Sequence, residues 1–134
     1  MNNKYILNDC EYIQSNNFDE RDDNILIDTI ILHCISLPES NYENDNVIEF
    51  FTNRLDYDKH ASFEDLRDLK VSSHIFIRRS GQIIQFVPFN KRAWHAGKSS
   101  YKGRSNFNDL LICVMMNEVN GRKNNAIIVN SGLI

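Results

Sequence analysis

His74-Ile75-Phe76-Ile77-Arg78-Arg79-Ser80-Gly81-Gln82-Ile83-Ile84-Gln85-Phe86-Val87 is the stretch on which the fold turns. Two runs rich in β-branched and aromatic residues flank Ser80-Gly81, where glycine tolerates a positive φ. The pattern predicts a β-hairpin with a two-residue turn. Pro88 brings no backbone N–H to a ladder and closes the second strand. Toward the N-terminus, Leu26-Ile27-Asp28-Thr29-Ile30-Ile31-Leu32-His33 is nearly continuous in apolar residues, as in a strand covered on both faces, and Ser36-Leu37-Pro38 ends it. Val47, Ile48, Phe51 and Leu55 then recur at helical spacing, with Asn44 or Asp45 available as the cap. Ser62 and Asp65 have capping-box spacing ahead of Leu66 and Leu69 and predict a second short helix. Residues 1–24 read as an irregular polar arm, residues 90–108 as a loop carrying polar chemistry, and Leu110 to Met116 as another buried strand. Helices interspersed among hairpin and non-hairpin strands predict an α/β (α+β) fold, a central mixed sheet with flanking helices.

The remaining composition narrows the class. At 134 residues the chain suits one domain, and 42% hydrophobic with 25% charged residues is ordinary globular usage. A net charge of −3 gives no global attraction to nucleic acid. Lys91, Arg92, Lys98, Lys102 and Arg104 make a local basic cluster that suits an anionic ligand. Cys10, Cys34 and Cys113 are odd in number and unpatterned, which points away from a disulfide framework and toward a reducing compartment. The N-terminal residues lack the apolar run of a secretory signal, and no run approaches the roughly 20 apolar residues of a membrane helix. The expectation is a soluble cytoplasmic protein, with neither nucleic acid nor membrane as partner.

Four histidines carry the candidate chemistry: His33, His60, His74 and His95. His33 stands at the C-terminal end of a predicted strand, where α/β folds place binding groups. No HxxxH, CxxC or HxH spacing occurs, so spacing alone establishes no metal. Trp94-His95-Ala96-Gly97 joins an aromatic, a titratable ring and two small residues that admit a ligand close to the backbone.

In combination these segments are specific. Leu32-His33-Cys34-Ile35-Ser36-Leu37-Pro38, Val71-Ser72-Ser73-His74 with the hairpin after it, and Val87-Pro88-Phe89-Asn90-Lys91-Arg92-Ala93-Trp94-His95-Ala96-Gly97 follow one another in order. Together with Ser99 to Arg104 and Asn108-Asp109, they resemble the N-acetylmuramoyl-L-alanine amidases. The match is closest to the AmpD type, which acts on 1,6-anhydro-muropeptides in cell-wall recycling. The likeness runs from about residue 17 to residue 112 of a single amidase-like domain spanning 1–134. It implies an amidase/peptidoglycan-recognition-like fold and a zinc hydrolase that cuts the amide between N-acetylmuramic acid and L-alanine. It further implies His33 as a zinc ligand, and His74, Trp94, His95, Ala96, Gly97, Arg104 and Asn108 as residues facing a muropeptide.

Departures from the family pattern are equally specific. The His and Asp that complete the family's zinc set lie in a later Gly-His … Lys-x-Asp-Pro-Gly segment. No histidine follows His95, and Asp109 is the last aspartate. Met115 stands where the family has a catalytic Glu, and Ser62 where it has a catalytic Tyr. Residues 119–134 diverge, which reads as an amidase domain truncated at its C-terminus. With His33 alone retained, the expectation is weak or no zinc binding and impaired or absent hydrolysis. His95, Cys34 or a tail Asn are the groups available as substitute ligands. The alternatives are a non-catalytic muropeptide-binding module, comparable to peptidoglycan recognition proteins, or a degenerate product.

Overall fold

A computed structural model describes residues 4–22, 24–95, 100–101, 104–105, 111–117 and 127–130. In chain order the elements are β1 (Glu11–Tyr12), β2 (Phe18–Glu20), β3 (Thr29–Cys34), α1 (Asn46–Phe51), β4 (Ile75–Ile77), β5 (Ile83–Gln85), β6 (Lys91–Ala93), β7 (Ser100–Tyr101), β8 (Arg104–Ser105), β9 (Leu111–Met116) and β10 (Ile127–Asn130). Six strands form the main sheet in the order β1-β5-β4-β9-β3-β10. β9 runs parallel to both β3 and β4, whereas β4 with β5 and β3 with β10 are antiparallel. The mixed sheet and the hairpin agree with the sequence reading.

The hairpin turn differs in detail. Arg78 N–H donates to Gln82 O at 2.9 Å, which leaves a three-residue loop, Arg79-Ser80-Gly81, closed by Gly81 at φ 93°. A third loop residue in the left-handed region is the usual way to restore register after such a turn. Because nothing lies within 4 Å of a Cβ built on Gly81, Gly81→Ala costs backbone strain alone. We expect about 1 kcal/mol of lost stability, measured as a shifted urea midpoint at unchanged slope.

Strand register decides which side chains meet. Ile31 lies opposite Cys113, and Met115 lies opposite both His33 and Phe76. With alternation along each strand, Ile31, His33, Phe76, Cys113 and Met115 share one face. That face carries the core, where Phe50 and Phe51 of α1, Phe63, Phe86 and Leu111 pack against Cys113 and Met115. Phe51 and Phe86 meet edge to face, centroids 5.4 Å apart at 87°. The opposite face is less covered than the apolar run predicts, since Ile30 remains 44% exposed at the middle of β3. Continuous hydrophobicity therefore does not mean burial on both sides here.

Three local expectations need correction. α1 is a short helix rather than one reaching Leu55, because Asn53 adopts φ 60° and reverses the chain. Asn44 Oδ1 accepts from Asn46 N–H, while Asp45, the capping residue, makes no side-chain bond. The second helix is a pair of 3-10 turns, Tyr57–Lys59 and Ala61–Leu66. A ring nitrogen of His60, not Ser62, accepts the first free N–H of the second turn. Only Phe63 of that turn is buried, which leaves too little apolar stripe to hold a longer helix.

The N-terminal segment is also more than an irregular arm. β1 edges the sheet, and β2 pairs with β6. Ser15 and Asn17 are buried, and both donate to the Phe51 carbonyl at the end of α1. Asn17 also donates to Val71 O at 2.8 Å, so these polar side chains satisfy backbone groups that the core would otherwise strand. No helix among the described residues is long and apolar enough to cross a membrane.

Candidate metal centre

β3 carries His33 to the C-terminal edge of the sheet, and the chain leaving β6 carries His95 to the same place. The two imidazoles lie 5.7 Å apart, tilted 52°. Beneath them, Cys113 projects from β9 on the face that His33 shares. One ring nitrogen from each histidine and the Cys113 sulfur all lie within 4.8 Å of one another, one such donor group among the described residues. Cys34 is excluded by strand alternation, which turns it to the other face. The sequence reading had named Cys34 and not Cys113. The available signal was parity: Cys113 and Met115 share a face, and Met115 was already placed at a family site.

The electrostatics of this cluster follow from burial. Burial pushes His33 below the usual imidazole range. His95 is pushed down to about 4 by burial and then by the neighbouring His33, against a hydrogen bond to the Ala93 backbone. Both rings are thus neutral at pH 7, with a lone pair each to offer. Burial raises the Cys113 thiol far above its ordinary range. Nε2 of His33 and Nδ1 of His95 are buried without a hydrogen-bond partner. Buried polar atoms are ordinarily satisfied. Two orphaned imidazole nitrogens beside a thiol are donor chemistry that zinc accepts, so the residues present fit the metal.

His74 occupies a different role from the one expected. It is fully buried. Cys113 N–H donates to its Nδ1 at 3.0 Å, so Nε2 carries the hydrogen and donates to Lys91 O at 2.8 Å. The Arg21 guanidinium stands 3.4 Å from that Nε2 and donates to the carbonyls of Lys91 and Leu111. Burial first, then the Arg21 and His95 charges, push His74 down to about 4. His74 and Arg21 form a neutral-cation pair that ties β9 to β6 beneath the cluster. Arg21 carried no sequence signal, because buried arginines look like any other before the fold is known.

The other expected residues divide as follows. Trp94 is half-buried, its backbone N–H donates to Asn17 O, and its side chain helps Arg92 hold the Asp19 carboxyl below its usual range. Ala96, Gly97 and Asn108 lie outside the described residues, as does the side chain of Arg104. The basic cluster is partly neutralised: Lys91 pairs with Glu20, and Arg92 with Asp19. Met115 is buried directly across from His33, and Ser62 is exposed with its hydroxyl 2.7 Å from His60 Nδ1. An open cleft of about 1300 Å³ is bordered by Pro38, Tyr42, His60, Ser62, Arg78 and Gln82, and includes neither His33 nor His95. Its arginines are engaged, Arg78 by Asp45 and Arg79 over the Tyr42 ring. Chemistry is therefore assigned to the buried donors and not to the larger hollow.

The fold and the sequence match define a class. Residues 22–130 match the N-acetylmuramoyl-L-alanine amidase family, and the chain belongs to that family, which is zinc-dependent. It is 42% identical over 109 residues to the 1,6-anhydro-N-acetylmuramyl-L-alanine amidase AmpD of Haemophilus influenzae, covering 81% of this chain and 59% of that protein. It is 41% identical over 100 residues to AmpD of Escherichia coli, covering 75% and 55%. A crystal structure of a selenomethionine AmpD derivative superposes with a TM-score of 0.84 at 34% identity, covering 93% of this chain and 70% of that one. The chain thus spans a little over half the length of the curated relatives it matches.

Proposed function

We propose that this domain engages 1,6-anhydro-N-acetylmuramoyl peptides at the His33–His95 edge of the sheet, with zinc as its metal, in a reducing cytoplasmic setting. We further propose that it hydrolyses the muramoyl–L-alanine amide poorly. The observation that carries the second statement is the register of β3 and β9, which puts Met115 opposite His33. Zinc bound at His33 supplies Lewis-acid polarisation of a carbonyl and activation of water. The side chain of this protein nearest in register to His33 is a thioether, which neither takes nor gives a proton. His33 and His95, both neutral at pH 7, hold lone pairs rather than protons. Ser62 is an exposed hydroxyl engaged by His60. Substrate recognition is supported by the family match and by the AmpD relatives, whose names state that substrate class. The three cysteines are free, which supports the reducing compartment.

Calorimetric titration with an anhydro-muropeptide, followed by chromatography of the mixture, tests both statements. Saturable binding is expected, with turnover about a hundredfold or more below that of an AmpD relative, the typical contribution of an acid–base group. Turnover matching the relative refutes the impairment. Absence of saturable binding refutes the muropeptide reading.

A further inference from the structure

We infer that His33, His95 and Cys113 form a two-imidazole, one-thiolate zinc site, a ligand set assembled from this chain's own β3, β6 exit and β9. The argument rests on four observations. One donor atom from each residue lies within 4.8 Å of the other two. Two of those residues present a buried ring nitrogen with no hydrogen-bond partner. The third is a free cysteine, fully buried within the hydrophobic cluster. Finally, the supports are in place: the His95 ring is bonded toward the Ala93 carbonyl, and the Cys113 backbone is tied to His74 Nδ1. Ligating histidines ordinarily carry such an outer hydrogen bond to a carbonyl, which fixes ring orientation.

The geometry is close to closed. Zinc–nitrogen bonds of about 2.0–2.1 Å and zinc–sulfur bonds of about 2.3 Å place tetrahedral donors roughly 3.3–3.7 Å apart. Donors already within 4.8 Å therefore converge by movements of about 1 Å, within the reach of side-chain rotation. As the sulfur–metal bond forms, the Cys113 S–H proton passes to solvent. Two neutral imidazoles and one thiolate would leave zinc a net single positive charge and a fourth position open to an exchangeable ligand. A sulfur donor also selects zinc over magnesium or calcium, which prefer oxygen. Only His33 belongs to the ligand set that the family resemblance implies. This revises the expectation of little or no metal binding, which counted His33 alone.

The site is tested by metal spectroscopy on the whole chain, with no reference to hydrolysis. Cobalt(II) added to metal-free protein is expected to bind one to one. It should give a thiolate-to-cobalt charge-transfer band in the near ultraviolet and the intense visible bands of a tetrahedral centre. Cys113→Ser is expected to abolish the near-ultraviolet band, while Cys34→Ser leaves it unchanged. His95→Asn should weaken binding by more than the roughly 10–100-fold that loss of an outer hydrogen-bond partner costs. X-ray absorption of the zinc-loaded wild-type chain, which needs no variant, should show one sulfur scatterer per metal. A band that survives Cys113→Ser, a band lost with Cys34→Ser, an all-nitrogen/oxygen absorption spectrum, or the absence of stoichiometric cobalt overturns the inference. A chain that binds cobalt through sulfur but no muropeptide upholds this site and refutes the substrate reading instead.

Discussion

Phe86→Ala is expected to lower the free energy of unfolding by about 3–5 kcal/mol, read as a fall in urea midpoint. Phe86 is fully buried and belongs to the cluster that joins α1 to the sheet. It meets Phe51 edge to face at 5.4 Å, the arrangement that aligns a ring's positive edge with its neighbour's negative face. Its backbone N–H also donates to the His74 carbonyl, so the surrounding main chain is pinned and cannot collapse into the vacated volume. The full cavity cost therefore applies. Against a total of about 5–15 kcal/mol for a domain, this is a large share of the stability. Phe51→Ala should cost a similar amount. The double variant should fall short of the sum by about 0.5–1.5 kcal/mol, the coupling of an aromatic pair. Strict additivity would show that the two rings do not interact.

The metal-free protein is expected to lose stability as pH falls from about 6.5 toward 4. His74 titrates near 6.5 in an unfolded chain and is pushed down to about 4 in the fold. Between those values the unfolded state binds a proton that the folded state refuses, so acid favours unfolding. The stabilisation is complete above pH 6.5 and gone below about 4. A displacement of this size is worth about 3 kcal/mol for His74. His95, also held near 4 but partly exposed, adds a smaller share in the same direction. The physical cause in both cases is first the loss of solvent around a would-be imidazolium, sharpened at His74 by Arg21. Thermal melts across pH 4–7 measure the effect. His74→Asn should lower stability at pH 7 and flatten the profile, leaving the His95 portion. A profile of unchanged slope would show that His74 is not buried neutral.

Which elements form was largely legible in the residues. The apolar runs of β3, β4, β5 and β9 announce strands because they are short, rich in β-branched and aromatic residues, and in places bounded by Gly or Pro. Ser80-Gly81 places the reversal, and the ordered segments around His33, His74 and Trp94-His95 carry the family. The turn's third residue, the early end of α1 at Asn53, and the 3-10 geometry after it were not legible. Each depends on one backbone dihedral or one cap, and local preference there is weak compared with tertiary contacts.

The site divides in the same way. His33 could be named from its position at the end of a strand, and the amidase class from its neighbouring motifs. That Cys113 rather than Cys34 joins His33, and that His74 is held inside by Cys113 and Lys91, belong to the tertiary structure alone. The reason is register. A parallel pairing between β3 and β9 brings together residues separated by most of the chain, and a slip of one residue would turn Cys113 and Met115 to the opposite face. Local sequence encodes that a strand exists; only the packed sheet sets which of its side chains stand beside His33.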